Sequence, residues 1–98
     1  MNVFLDDVRQ PPDGWIWIKT ADEAIVLLSM NVVETISLDH DLGEGKKTGY
    51  DVVKWIERKV FLDNYIPPKI YVHSANPVGR KNILMTINKI REKIGDKS

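Results

Sequence analysis

Short apolar runs alternate along this chain with stretches whose apolar residues recur at helical spacing, and that alternation constrains the fold most. The runs predict strands over Asn2–Asp6, Trp15–Lys19, Glu34–Asp39 and Lys69–His73. The capping pattern Thr20-Ala-Asp-Glu23 opens a helix with Ala24, Leu27 and Leu28 on one face, fading near Met30-Asn31. Thr48-Gly-Tyr-Asp51 opens a second, carried by Val52, Val53, Ile56 and Val60. Asn76-Pro77 starts a third, with a stripe of Ile83, Ile87, Ile90 and Ile94 and a stop at Gly95. Strands alternating with amphipathic helices require an α/β fold with a mostly parallel sheet and right-handed crossovers. One joint departs from this rule. The segment from Asp7 to Gly14 is shorter than the usual crossover of a dozen or more residues, but an extended proline-containing path still spans a short strand. Parallel pairing of the first two strands is expected there, with an antiparallel second strand as the alternative.

A chain of 98 residues with 43% hydrophobic content fits one domain over residues 1–98, with a frayed tail at about 95–98. Its 14 basic and 14 acidic residues cancel, which argues against an extended nucleic-acid-binding surface or an anionic-membrane partner. Without cysteine there is neither a disulfide nor a thiolate metal site, so any ligands are carboxylate, imidazole, amide or water. No run reaches transmembrane length and Met1 leads directly into a strand, so a cytoplasmic location is expected.

The polar residues fall where open parallel sheets place their sites, just beyond the carboxyl ends of the strands. Asp6-Asp7 with Arg9 follows the first strand, Asp39-His40-Asp41 the third, and His73-Ser74-Ala75-Asn76 the fourth, with Arg80 in the next helical turn. If the first and third strands are neighbours, the acids converge and raise one another's pKa unless a cation compensates them. Oxygen ligands alone suit a hard ion, Mg2+ or Mn2+. Arg9, Ser74, Asn76 and Arg80 supply donors for a phosphate beside it.

At these residues the chain resembles a known family. Phe4-Leu-Asp-Asp-Val-Arg9 with Pro11-Pro12-x-Gly-Trp15, Ser37-Leu-Asp-His-Asp-Leu-Gly43, Thr48-Gly-Tyr-Asp51 and Val72-His-Ser-Ala-Asn-Pro-x-Gly-Arg80 are similar to the cyclic-phosphate processing receiver-like domains, shortened relatives of response-regulator receivers. The resemblance implies a small three-layer sheet of receiver/flavodoxin-like order 2-1-3-4, the first helix replaced by a loop and the last strand, with its lysine, missing. It matches Asp6 and Asp7 to the receiver's metal-binding acid pair and Asp39 to its phosphoacceptor, and it sets Ser74 near the switch hydroxyl. It implies processing of 2',3'-cyclic phosphate ends or cyclic nucleotides.

Together these readings predict a metal-dependent phosphoric ester hydrolase acting on a nucleotide or RNA-end cyclic phosphate. Asp6, Asp7 and Asp39 would hold Mg2+ (or Mn2+), with Asp41 a further ligand or an orienter. His40 or His73 would move the proton, since imidazole titrates near neutrality. Arg9, Ser74, Asn76 and Arg80 would bind the phosphate, and Asp39 as a covalent phosphoacceptor is the secondary mechanism. A non-catalytic receiver-like binding or regulatory module is the alternative. The paired-histidine cyclic phosphodiesterases use two His-x-Thr/Ser units, which His73-Ser74-Ala75 and His40-Asp41-Leu42 do not reproduce. Alternation carried past the third strand would point Asp39 and Asp41 one way and His40 the other, making His73 the stronger catalytic residue.

Overall fold

Each apolar run forms a four-residue strand in the computed structural model, which describes residues 1–95. These are β1 (Asn2–Leu5), β2 (Trp15–Ile18), β3 (Thr35–Leu38) and β4 (Lys69–Val72), with α1 (Ala21–Ser29), α2 (Gly49–Asp63) and α3 (Pro77–Ile94) between and after them. The sheet order is β2-β1-β3-β4 and every pair is parallel, including β1 with β2 in the register Asn2↔Trp15. The extended path through Pro11-Pro12 therefore does return the chain far enough for parallel pairing. No fifth strand follows α3 among the described residues.

The helices start where their caps allow. Thr20 accepts the Glu23 amide at 3.2 Å, and Thr48 and Asp51 exchange bonds in a complete capping box. Asn76 accepts the Gly79 amide at 3.0 Å, with proline in the first turn of α3. α2 stops at Asn64 in the left-handed region (φ 54°), and α3 at Gly95 (φ 81°). Of the tail expected at 95–98, the remainder lies outside the described residues. Ile94 departs from the expected stripe: it ends α3 at 49% exposure, one turn beyond the packed Ile83, Ile87 and Ile90.

All three helices share one face of the sheet. β2 to β3 and β3 to β4 step in the same direction, so right-handed crossovers lay α1 and α2 on the same side. There Val3, Leu5, Ile36, Leu38 and Ile70 join Leu28, Ile56, Ile83 and Ile90 in a single core. Each fully buried side chain of this size contributes roughly 1.5–3 kcal/mol.

The expected third layer is thin. The step from β1 to β2 runs the other way, which by the same rule takes residues 7–14 over the opposite face. That face carries Phe4, Trp15, Trp17, Ser37 and Tyr71, the alternate residues of their strands. No helix lies there among the described residues, so aromatic side chains do the covering. The Trp15 ring meets Phe4 edge-on at 6.3 Å, and His73 stacks on Phe4 at 4.2 Å.

Candidate functional site

The residues just past the strands are held as firmly as the strands themselves. The amides of Asp6, Asp39 and His73 donate to the carbonyls of Ile18, Leu5 and Leu38, each at 3.0 Å, so each is a last rung of the sheet ladder. Because β1 and β3 are neighbours, this brings the acids of both ends together. Asp6, Asp7 and Asp39 each present a carboxylate oxygen within 4.8 Å of the others.

Asp6 is the anchored member, 3% exposed. Its Oδ1 accepts the amides of Val8 (2.9 Å) and Arg9 (2.8 Å), and its Oδ2 lies 3.0 Å from His73 Nε2. Burial pushes the Asp6 carboxyl up, but these amide bonds and His73 outweigh it and hold the group below its ordinary value. Asp39 goes the other way. Burial and then the charge of Asp6 raise it, only partly opposed by His73, the His40 amide and the Ser74 hydroxyl. A second carboxylate is thus disfavoured beside the first, and a cation is the group that relieves the repulsion.

Asp41 stands apart from this trio. Its Oδ1 meets His40 Nδ1 at 2.9 Å, and its Oδ2 accepts from Asn76 Nδ2 at 3.2 Å. The His40 and Asn76 bonds hold its carboxyl low. The expected alternation therefore fails beyond β3: the strand ends at Leu38, and the pleat that would separate His40 from Asp41 ends with it. Two glycines shape the loop instead. Gly49, whose amide donates to His40 O at 2.9 Å, lies so close to the Asp39 carbonyl that a Cβ would overlap it, and a Cβ on Gly79 would overlap the His40 ring. His40 is thus laid against the first turn of α3. Its Nε2 bonds to no described residue, and since no buried side-chain nitrogen or oxygen there lacks a partner, that atom meets solvent.

His73 has both ring nitrogens engaged, Nε2 with Asp6 and Nδ1 with Ser37 Oγ at 2.7 Å. The expected alternation favours His73 as the catalytic residue, whereas the ring nitrogen without a partner among the described residues belongs to His40. Arg9 and Arg80 each rest one guanidinium nitrogen on a carbonyl oxygen at the end of β4, that of His73 just past the strand (3.4 Å) and that of Val72, its last residue (3.1 Å), and both are exposed, with further donors available. Ser74 is buried and accepts the Asn76 amide at 3.1 Å.

Asn76 is committed on both sides of its amide, to the helix cap and to Asp41. Asn76→Ala is expected to cost about 1–2 kcal/mol, a fall in Tm of roughly 5–10 °C by calorimetry. An unchanged Tm would mean that the cap contributes nothing.

Sequence reasoning missed three supports: Ser37, Phe4 under the His73 ring, and Trp17, whose indole N–H donates to the Asp6 carbonyl at 2.7 Å. Only Ser37 left a signal, a hydroxyl between Ile36 and Leu38 in a buried strand. Among the described residues no helix is long and apolar enough to cross a membrane. A family model described as Cyclic-phosphate processing Receiver domain matches residues 1–89. No match is found among curated proteins or among solved structures.

Proposed function

Because this chain belongs to the Cyclic-phosphate processing Receiver domain family, we propose that its strand ends form the active site of a metal-dependent phosphoesterase that opens a cyclic phosphate on a nucleotide or an RNA end. The observation that carries this reading is the gathering of Asp6, Asp7 and Asp39 within 4.8 Å, with the exposed guanidiniums of Arg9 and Arg80 resting on the carbonyls of His73 and Val72. The donor set is all carboxylate, which fits Mg2+ or Mn2+, and the raised Asp39 is a group that a cation would favour in its charged form. A divalent ion bound there would supply charge neutralisation for a phosphate oxygen.

The chain's own residues do the rest. Arg9 and Arg80 bind and orient the phosphate with their remaining N–H groups, assisted by the amino end of α3. Asp41 holds His40 through Nδ1, leaving Nε2 free to take or give a proton, an arrangement of base and orienter familiar from hydrolytic sites. Ser74 steadies Asp39.

The decisive experiment incubates the chain with 2',3'-cyclic mononucleotides and with RNA ending in a 2',3'-cyclic phosphate, with Mg2+ or Mn2+, and follows products by phosphorus NMR. Ring-opened monoester is expected, with loss of about 100-fold or more in rate for His40→Gln. Binding without turnover across substrates and metals would sink the enzyme and leave a receiver-like binding or regulatory module.

A further inference from the structure

Ser37, His73 and Asp6 form one bonded row across the sheet, from β3 over β1 to the acid trio. The His73 ring begins just past β4 yet leans back across the sheet, lying nearly parallel to Phe4 (8° between planes) with 15% of its side chain exposed. Its two nitrogens meet Ser37 Oγ at 2.7 Å and Asp6 Oδ2 at 3.0 Å. A ring pinned at both nitrogens and stacked on one face has little freedom to serve as a mobile acid or base.

The lone pairs of Asp6 say what the row is for. A carboxylate offers about four acceptor sites. Oδ1 uses its two on the amides of Val8 and Arg9. Oδ2 has one bond, to His73, so its remaining lone pair is what Asp6 offers the trio. The direction of that lone pair depends on where the imidazole holds Oδ2. The imidazole in turn is held by a hydroxyl that has no other side-chain partner among the described residues. A hydroxyl donating to Nδ1 leaves the proton on Nε2, where it can donate to Asp6.

We infer that Ser37 is a positioning residue: its O–H donates to His73 Nδ1, so that Nε2–H donates to Asp6 Oδ2 and fixes the oxygen that Asp6 presents to a cation. The consequence for metal binding rests on the metal reading above, whereas the hydrogen-bond row does not. Groups that hold a ligating carboxylate typically change metal affinity by about 10–100-fold when removed.

The test uses the full chain labelled with 15N, wild type, Ser37→Ala and Ser37→Thr. Long-range proton–nitrogen spectra at one fixed pH without metal report the His73 ring, and Mn2+ titration by electron paramagnetic resonance reports affinity. Wild type and Ser37→Thr should show Nδ1 bare and Nε2 protonated. Ser37→Ala should shift or broaden the His73 ring signals while backbone amide dispersion is kept, and should bind Mn2+ about 10-fold more weakly, restored by the threonine. A wild-type His73 protonated on Nδ1, or a Ser37→Ala ring spectrum identical to wild type, overturns the inference. So does an unchanged Mn2+ affinity in that variant. If wild type takes up no Mn2+ at all, the metal reading falls on its own, and the ring spectra of the three chains still decide the role of Ser37.

Discussion

Replacing Asp39 by asparagine is expected to raise the melting temperature of the metal-free chain at pH 7 by a few degrees at most, because solvent screens the partly exposed group, while removing its response to Mg2+. Burial and the charge of Asp6 raise the Asp39 carboxyl above its ordinary value of 3.8, so ionising it opposes folding. The penalty is absent below about pH 3.8, where the acid is protonated folded and unfolded. It develops between that value and the raised one, and is complete above it. The gain from asparagine should therefore be full at neutral pH and vanish in acid. Asp6 contributes with the opposite sign: its lowered carboxyl stabilises the fold above the ordinary value of 3.8, and that contribution is lost as pH falls through the folded value. With metal the ranking is expected to invert. On the metal reading proposed above, wild type should gain about 2.7 kcal/mol at a hundredfold excess of ion over Kd, and the variant far less. Thermal melts across pH, with and without Mg2+, check both halves. A variant less stable than wild type without metal would refute the repulsion between the two acids. An equal response to the ion would remove Asp39 from the ligand set.

Gly49→Ala should be the more damaging change, costing roughly 3 kcal/mol or more and lowering Tm by over 12 °C. The added methyl would overlap the Asp39 carbonyl oxygen, which is backbone and cannot rotate away. The bond from the Gly49 amide to His40 O would have to open with it. The loop carrying Asp39, His40 and Asp41 would move off α2, and Leu42, 5% exposed, would leave the core with it. Gly45→Ala is the control. Gly45 has φ 71° but no atom within 4 Å of an added Cβ, so only the left-handed strain of about 1 kcal/mol is expected. Denaturant melts of the two variants give the comparison, and similar losses would rule out the close approach at Gly49 as the cause.

The elements and their mostly parallel pairing were legible because their causes are local or topological, while the strand order came from the family resemblance. Apolar runs of strand length, caps such as Thr48–Asp51 and Asn76-Pro77, and the right-handed crossover rule act through neighbours in sequence. The family blocks around Asp6-Asp7 and Asp39-His40-Asp41 could be read the same way. What could not be read depends on side chains that meet across the sheet. The thin covering of the second face rests on Trp15 and His73, each of which packs on Phe4 of β1. That the free ring nitrogen belongs to His40 follows from Ser37 and Asp6 bonding both nitrogens of His73, while Gly79 leaves room for His40 against α3.

By itself, then, the sequence determined which residues stand at the strand ends, because periodicity and caps place the backbone. Only the tertiary structure decided which oxygens and nitrogens among them remain free. Hydrogen-bond partners are set by distances of about 3 Å between elements far apart in the chain, and no spacing along the sequence encodes those distances.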